Sequence, residues 1–297
     1  MKFLRLGDAG TEQPAVLAAG TDGTDGTERA YSLLPLTRDI DGAFLAHDGA
    51  ARVRAALAAG ELPALDPAGL RIGPPVARPR SVIAIGLNYA DHAAEAGADV
   101  PTVPVVFLKP TSTIAGPFDP APYPAAAGKY DWEAELAIVV GRDAHLLPTV
   151  AAAAECIAGY ACANDLSERD WQMGAAGQWT KGKSSPGSTP LGPWLVPADE
   201  TDPADLRVRS WVNGEPRQDS RTADLVFSPA ELVHHVSQYM LLEAGDVILT
   251  GTPAGVALSG RFPYLAPGDT VEVEVEGLGR QRCVLTAEHV GVTSGAR

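Results

Sequence analysis

Two glutamates, Glu133 and Glu135, stand two positions apart in the run KYDWEAELAIVVGR (residues 129–142), and the side chains around them are mostly apolar. Because alternate side chains of an extended strand point to the same face, both carboxylates are expected on one face of a buried strand. Buried ionised carboxylates need compensation, so they should either take up a proton or face a cation. An edge strand with one solvated face is the ordinary explanation of an isolated Glu-x-Glu pattern, and these residues alone leave it open.

A hard divalent cation would compensate the two glutamates, since oxygen ligands favour magnesium, calcium or manganese over zinc. Asp165 adds a third carboxylate at the end of a strand predicted over residues 157–163. Three carboxylates leave roughly three of six octahedral positions for water or for a chelating 2-oxo acid. Taken by itself, however, Asp165 is better explained as a helix cap.

His92 and Glu95 offer acid–base chemistry, since they lie three residues apart in a helix predicted over residues 89–96. Side chains at that spacing share one side of a helix, so Glu95 could orient the imidazole while His92 takes a proton from water. Lys183, in a loop rich in Gly, Pro and Ser over residues 178–195, could place positive charge beside a carboxylate or an oxyanion. The alternatives are a surface pair worth at most ~0.5 kcal/mol and an ordinary loop lysine.

The composition of the chain restricts its partners. The 297 residues include 37 acidic and 23 basic side chains, a net charge of −14, with no basic patch to neutralise phosphates, so nucleic-acid binding is not expected. An anionic small molecule would need local positive charge from a metal or a lysine. No signal peptide and no apolar run of membrane-spanning length is evident, and the three cysteines fit reduced thiols in a cytoplasmic protein.

The elements that must position these residues divide into two predicted domains, residues 1–75 and residues 76–297. The smaller domain has predicted strands at residues 2–6, 15–19 and 30–36, a polar loop at 21–28 and a helix at 50–59. Residues 70–80, which contain several prolines, link it to the larger domain.

The larger domain is predicted to be β-dominated, because it contains many short strand patterns and few long helical ones. Asn88 is expected to cap the helix that carries His92, and Asn213–Gly214 to form a hairpin turn. Strands are predicted over residues 81–86, 105–109, 129–142, 157–163, 206–212, 246–250, 269–276 and 281–287, and further helices over 149–156 and 229–242.

Six ordered motifs resemble the fumarylacetoacetate hydrolase family over about residues 80–280. They read GLNYADHAAEAG, PVVFLKPTSTIAGP, DWEAELAIVVGR, AGYACANDLSERDWQ, QWTKGKSSPGSTPLGPWL and GDVILTGTPAGV. The amino-terminal part is also similar to a bacterial branch that contains 2,4-diketo-3-deoxy-fuconate hydrolase and proteins labelled ureidoglycolate lyase. The resemblance implies an α+β fold, in which a small amino-terminal α+β domain accompanies a mixed β-roll catalytic domain, usually as a homodimer.

The resemblance also implies roles for individual side chains. Glu133, Glu135 and Asp165 fall on the family's ligands for Mg²⁺ or Mn²⁺, a site that Ca²⁺ could also fill in a crystal. His92 falls on the water-activating base with Glu95 as its partner, and Lys183 falls on the lysine that faces substrate and metal. Residues matching positions that line the pocket in the wider family are Arg169, Gln172 and Thr252.

The chemistry implied by this resemblance acts on a small-molecule 2-oxo or diketo acid through an enolate stabilised by the metal. The predicted function is a metal-dependent hydrolase that cleaves a carbon–carbon bond in a 2,4-diketo acid or an acylpyruvate. The same ligand set would serve an oxaloacetate-type decarboxylase, an isomerase or tautomerase, or a dehydratase. A non-catalytic metal-binding scaffold is the remaining alternative.

One stretch departs from the family pattern. Relatives usually continue after the lysine as in KSFDTF or KSCDTF, whereas this chain reads KSSPGST, with Pro186–Gly187 replacing the aspartate–threonine pair. Proline removes a backbone donor and glycine loosens its neighbour, so the loop is expected to have a different shape. A substrate different from that of the sugar-acid hydrolases is therefore expected.

Overall fold

The computed structural model of the protein describes residues 1–19, 28–174 and 177–287. Strand accounts for 35% and helix for 22% of it, so the predicted β-dominated α+β class is confirmed. No helix in these ranges is long and apolar enough to cross a membrane.

The strands and helices are short. The strands are β1 (Lys2–Leu6), β2 (Gln13–Ala19), β3 (Glu28–Ser32), β4 (Ala64–Leu65), β5 (Ile72–Gly73), β6 (Val82–Gly86), β7 (Val105–Lys109), β8 (Ile114–Ala115), β9 (Ala121–Tyr123), β10 (Tyr130–Asp131), β11 (Ala134–Val140), β12 (Ile157–Asn164), β13 (Ser167–Glu168), β14 (Thr189–Pro190), β15 (Val196–Pro197), β16 (Arg207–Val212), β17 (Glu215–Arg221), β18 (Val247–Leu249), β19 (Thr270–Val275) and β20 (Gly279–Ala287). The helices are α1 (Gly42–Ala46), α2 (Gly49–Ala58), α3 (Ala90–Glu95), α4 (Val150–Ala154), α5 (Arg169–Met173) and α6 (Pro229–Ser237).

The amino-terminal part forms one antiparallel sheet in the order β4-β3-β2-β1-β5, with α1 and α2 beside it. The strands predicted at residues 2–6 and 15–19 and the helix at 50–59 are confirmed, whereas the strand predicted over residues 30–36 ends at Ser32. Residues 21–27 of the predicted polar loop lie outside the described residues. Phe3 and Leu195 exchange two backbone hydrogen bonds of 2.8 and 2.9 Å, which tie this sheet to the rest of the chain. The boundary between residues 75 and 76 remains a proposal.

A mixed six-stranded sheet in the order β15-β12-β11-β18-β6-β7 forms the centre of the larger part. Its strand β11 is buried along its whole length, because β12 and β18 pair with it on both edges and apolar side chains cover both faces. A second sheet, β17-β16-β19-β20-β9, packs against it around a shared apolar core. Asn213 and Gly214, with φ of 53° and 81°, turn the predicted hairpin between β16 and β17.

The strand predicted over residues 129–142 is not continuous. Strand β10 pairs with β13, whereas β11 pairs with β12, so the chain changes sheets at Trp132 and Glu133. The change is held by the Asn164 Oδ1 atom, which accepts a 3.1 Å hydrogen bond from the Glu133 N–H, and by the Asp165 N–H, which donates to the Glu133 carbonyl at 2.9 Å. These bonds fix Glu133 opposite Asp165.

The prediction that Asn88 caps the following helix is wrong. Tyr89 is the N-cap of α3, and no side chain caps it. The Asn88 amide instead donates to the carbonyls of Thr250 and Phe227 at 2.8 and 3.1 Å, while its Oδ1 accepts from the Phe227 N–H. Asn88 therefore joins two distant segments behind the helix. The helices predicted over residues 149–156 and 229–242 are both shorter than expected.

Helix α6 offers a test of the fold that leaves the candidate site untouched. The Ser228 and Glu231 side chains form a capping box at its start, with the Glu231 Oε2 atom accepting from the Ser228 N–H at 2.7 Å. We expect Ser228→Ala to lower the free energy of unfolding by about 1 kcal/mol. Urea denaturation measures this change, and Ser228→Thr is the control that keeps the cap. Equal stability of Ser228→Ala and the wild type would contradict it.

Candidate active site

Three buried carboxylates converge at one end of the central sheet. One oxygen each of Glu133, Glu135 and Asp165 lies within 4.8 Å of the others. Glu133 comes from the link between β10 and β11, Glu135 from β11 itself, and Asp165 from the residue after β12. Because β11 and β12 run antiparallel, with Ala134 opposite Asn164, the start of one strand meets the end of the other.

Buried cations surround two of the three carboxylates. The Lys183 Nζ atom lies 2.5 Å from Glu133 Oε2 and 2.9 Å from Asp165 Oδ2. Lys109 Nζ donates to Asp165 Oδ1, and Arg169 Nη1 lies 2.7 Å from Glu133 Oε1. Every carboxylate oxygen of Glu133 and Asp165 therefore has a cationic partner.

Glu135 is different, since no ion pair within the described ranges includes it. Its Oε2 accepts one hydrogen bond of 2.7 Å, from the Gly251 N–H. Burial, together with the charges of Asp165 and Glu133, raises the pKa of Glu135 well above its usual value. Burial alone would also raise the pKa of Glu133, but Lys183 and Arg169 hold it below its usual range. Of the three carboxylates, Glu135 has the greatest need of a further positive charge.

The donor set fits a hard divalent cation. The three oxygens lie within 4.8 Å of one another, which is near enough for small side-chain movements to bring all three to one ion. Among the residues that the structure describes, this cluster consists of carboxylates alone, without the thiolate or imidazole ligands that would favour zinc. Glu133, Glu135 and Asp165 are thus suited to hold Mg²⁺ or Mn²⁺.

The sequence-based predictions missed two charged residues behind this cluster, Asp131 and Lys109. Asp131 accepts hydrogen bonds from Arg169 Nε at 2.8 Å and from the backbone N–H groups of Ala257 and Leu258 at 2.8 and 3.0 Å. The alternation Asp131-x-Glu133-x-Glu135 could have indicated Asp131, because it places all three carboxylates at alternate positions. Lys109 gave no comparable signal, because only the tertiary structure brings the end of β7 to Asp165.

The His92 and Glu95 side chains lie on one side of α3, as their spacing predicts. His92 Nδ1 is 3.8 Å from Glu95 Oε2, which is too long for a hydrogen bond, and both side chains are largely buried. Glu95 is held in place by the Gly255 N–H, which donates to its Oε2 at 2.9 Å. The GTPAG turn, residues 251–255, thereby contacts both Glu95 and Glu135 through its two terminal glycines.

A cavity of about 250 Å³ opens beside these groups. Eight of the nine residues singled out from the sequence line it, and Asp165 lies behind them against Lys183. Arg169 Nη1 donates to Gln172 Oε1 at 2.9 Å, and Arg169 Nη2 has no hydrogen-bond partner in the described part of the chain. The lining candidates are His92, Glu95, Glu133, Glu135, Arg169, Gln172, Lys183 and Thr252.

Thr252 lines the cavity with its hydroxyl already engaged. Its Oγ1 donates to the Ala134 carbonyl at 2.9 Å and accepts from Gln218 Nε2 at 2.7 Å. Gln218 Oε1 in turn accepts from the Ala134 N–H at 3.0 Å. These bonds anchor the backbone next to both glutamates, so Thr252 contributes to the position of the carboxylates.

The Pro186–Gly187 departure forms a tight turn. The Ser188 N–H donates to the Ser185 carbonyl at 3.1 Å, and Gly187 takes a φ of 71°, as proline followed by glycine favours in a β-turn. Neither residue lines the cavity. The turn instead places Ser188 beside Lys109, whose Nζ lies 3.4 Å from both the Ser188 carbonyl and its hydroxyl. The altered stretch therefore lies behind the carboxylate cluster.

Comparisons with known proteins identify similar chains. The family model for the C-terminal part of fumarylacetoacetate (FAA) hydrolase matches residues 81–286. A Burkholderia multivorans protein whose name describes a hydrolase is 44% identical over 292 residues, 95% of this chain and 97% of its own length.

Two solved structures share the whole fold. The 5-carboxymethyl-2-hydroxymuconate delta-isomerase from Mycobacterium smegmatis is 35% identical with a TM-score of 0.74, over 97% of this chain and 100% of that one. The maleylpyruvate hydrolase from Sphingobium sp. SYK-6, solved with manganese(II) and pyruvate, is 26% identical with a TM-score of 0.78 over the same shares. One fold thus occurs in an isomerase and in a hydrolase.

The uncompensated position of Glu135 predicts how the protein responds to metal. We expect Mn²⁺ at 100 times its Kd to stabilise the wild type by ~2.7 kcal/mol, as for any ligand that binds only the folded state. Glu135→Gln keeps the shape but removes the anionic ligand, so this stabilisation should be lost while the metal-free variant stays folded. Thermal unfolding with and without Mn²⁺ measures it.

Glu155→Gln is the matched control, because Glu155 is an exposed carboxylate at the end of α4. It should respond to Mn²⁺ like the wild type. A full Mn²⁺ response in Glu135→Gln would contradict the assignment of Glu135 as a ligand.

Proposed function

The chain belongs to the fumarylacetoacetate hydrolase family, and we propose that it is a metal-dependent hydrolase that cleaves a carbon–carbon bond in a 2,4-diketo acid or an acylpyruvate. The observation that carries this proposal is that a histidine–glutamate pair and a buried carboxylate cluster face the same cavity. A base beside a site for a 2-oxo acid suits an attack by water. The maleylpyruvate hydrolase, which was solved in complex with manganese(II) and pyruvate, supports the same class of ligands.

Glu133, Glu135 and Asp165 would hold Mg²⁺ or Mn²⁺, which when bound supplies Lewis-acid polarisation of the 2-oxo acid. Two protein cations would receive the anionic end of the substrate. Lys183 lies at the edge of the carboxylate cluster, and Arg169 has a free N–H group at Nη2 in the described part of the chain. Both cations are buried, so they would hold a carboxylate or an oxyanion without competition from water.

His92 would act as the general base. Its ring would take a proton from water, the oxygen would attack the distal carbonyl carbon, and the bond from that carbon to the pyruvate unit would then break. Although burial alone would raise the pKa of Glu95, the His92 ring and the Gly255 N–H hold that pKa below its usual value. An ionised Glu95 would stabilise the imidazolium, which can return its proton to the departing carbon.

This role predicts the effect of removing the imidazole. His92→Ala should reduce the kcat for acylpyruvate hydrolysis by about 10²–10⁴-fold, the usual contribution of a general base, while Mn²⁺ still stabilises the variant. Loss of diketo-acid absorbance measures the rate. His145→Ala is the control and should retain the wild-type rate, because His145 is exposed and lies beyond the end of β11 that is opposite Glu135. Undiminished hydrolysis by His92→Ala would exclude His92 from the mechanism.

Isomerisation is the second candidate, favoured by the 35% identity to an isomerase. An isomerase would use the same cavity without adding water to the product. Reaction in H₂¹⁸O separates the two, because hydrolysis places one ¹⁸O atom in the new carboxylate and isomerisation places none. Turnover of an unsaturated keto acid without hydrolysis of any acylpyruvate would favour the isomerase.

Decarboxylase and dehydratase activities remain alternatives for the same site, and products from oxaloacetate and from hydroxylated 2-oxo acids would reveal them. Calorimetry with oxalate, which resembles the enolate of pyruvate, tests the scaffold alternative. No oxalate binding in the presence of Mn²⁺ would favour the scaffold.

We also propose a cytoplasmic homodimer. The three cysteines are free and buried, which suits a reducing compartment. Leu108, in the edge strand β7, and Val103, just before it, each expose about half of their residue surface, which suits burial against another chain. Sedimentation at twice the monomer mass would support the dimer.

A further inference from the structure

The wall of the active-site cavity changes from charged to apolar between its floor and its mouth. Four charged lining residues, Glu133, Glu135, Arg169 and Lys183, form the buried floor, and the His92–Glu95 pair lies beside them. No other residue that lines the cavity within the described ranges carries a charge. The apolar residues that matter here are Leu87, Ala96, Ala98, Met173, Trp179 and Leu258.

The apolar wall extends from the protein interior to solvent. Trp179 packs directly on Gly86, where a Cβ atom would come within 2.1 Å of the indole, and its ring meets Phe107 edge to face at 5.5 Å. The Phe107 ring also lies 5.3 Å from Lys183 Nζ, so the wall begins at the charged floor. Met173 is 62% exposed and marks the mouth. A substrate whose anionic end lies on the floor must place its other end along this wall.

The floor has positive charge available for one carboxylate. Lys183 uses two of its three N–H donors on Glu133 and Asp165, and Arg169 uses Nε and Nη1 on Asp131, Glu133 and Gln172. One N–H of Lys183 and the Nη2 group of Arg169 are left, which together suit a single carboxylate. A second carboxylate on the substrate would have to lie against the apolar wall. Burying an anion there without a partner is unfavourable.

Arg261 lies outside the cavity lining but next to Glu95, and its charge is already engaged. Its Nη1 atom is 3.6 Å from Glu95 Oε1, its guanidinium is 5.4 Å from the Phe262 ring centre, and its side chain is 67% exposed. The charge of Arg261 is therefore paired with Glu95 and screened by solvent. The net charge of −14 further disfavours a dianion.

We propose that the substrate carries its single carboxylate at the 2-oxo acid end and an uncharged alkyl or aryl group at the acyl end. Met173 and Trp179 contact this acyl tail and select against a second carboxylate. The inference rests on the proposed function, because it assumes that a 2-oxo acid lies on the charged floor. It narrows the substrate class to acylpyruvates with apolar tails.

Two non-reacting ligands test the tail separately from the reaction. N-butyloxamate and N-(3-carboxypropyl)oxamate share the oxamate head and a four-carbon chain, and they differ by one tail carboxylate. Calorimetry on the Mn²⁺-loaded protein should give a Kd at least about tenfold lower for the butyl ligand, because its tail needs no cation. This preference would support the proposal even if no acylpyruvate were hydrolysed, in which case the proposed hydrolase activity alone would fail.

Variants at Met173 test whether the preference for the butyl ligand arises at the mouth of the cavity. Met173→Arg should narrow the ratio of the two Kd values by about tenfold, since it supplies a cation at the mouth, whereas Met173→Gln is matched in length and should not. Leu241→Arg adds the same charge at an exposed site beyond the opposite end of β11 and should leave the ratio unchanged.

Three results would overturn the proposal. If the wild type bound N-(3-carboxypropyl)oxamate as tightly as N-butyloxamate or more tightly, the proposal of an apolar tail would be refuted and the proposed function would stand. If Met173→Arg and Met173→Gln gave the same ratio of the two Kd values, the acyl tail would not lie along this wall. If neither ligand bound in a Mn²⁺-dependent manner, both the apolar-tail proposal and the proposed function would be refuted.

Discussion

The site depends on the burial of more negative than positive charge at one end of the central sheet. The carboxyl groups of Asp131, Glu133, Glu135 and Asp165 face three cations, Lys109, Lys183 and Arg169, so four negative charges would meet three positive ones if all four carboxyl groups were ionised. Such a cluster is stable only if each charge has partners. The excess falls on Glu135, whose hydrogen bond within the described residues comes from the backbone. A divalent cation and a monoanionic ligand together would bring this cluster to neutrality.

The fold can be understood as the means of assembling that cluster. The chain leaves one sheet after Asp131 and joins another at Ala134. This change of sheet places Glu133 in the link between β10 and β11. Strand β12 ends at Asn164, so Asp165 is free to turn toward Lys183. Burial on both faces of β11 fixes the register, because a one-residue slip would move Glu135 into an apolar layer.

Much of this arrangement could be predicted from local pattern. Two-residue alternation predicted that the carboxylates of Glu133 and Glu135 lie close together, and they do, although Glu133 lies in the link before β11 and not in the strand. Three-residue spacing predicted that His92 and Glu95 share a side of a helix, and this prediction depends only on the geometry of α3. The six ordered motifs also predicted the family and its fold. Predictions failed where a side chain serves a distant segment, as with Asn88, which bonds Thr250 and Phe227 instead of capping its own helix.

Long-range partners explain the other omissions. Nothing near Lys109 in the sequence indicates that it will meet Asp165, since 56 residues separate them and the contact needs the finished sheet. The Pro186–Gly187 pair predicts a loop of different shape and hence a different substrate, and in the fold this turn lies next to Ser188 and Lys109 and outside the cavity lining. The turn is therefore connected to the carboxylate cluster through Ser188 and Lys109, and this connection cannot be deduced from the sequence near the turn.

The turn at residues 251–255 connects Glu95, the neighbour of the proposed base His92, to the carboxylate cluster. Gly251 donates to Glu135 and Gly255 donates to Glu95, so one short segment holds a member of each group. Both glycines have positive φ, and a Cβ atom would meet the Asn88 side chain at 2.9 Å in the first and the Arg217 carbonyl at 2.4 Å in the second. The backbone at these two positions therefore admits only glycine without displacing its neighbours. Because a shift of about 1 Å between reacting groups can cost about 10²-fold in rate, this turn is as important to the proposed chemistry as the residues it positions.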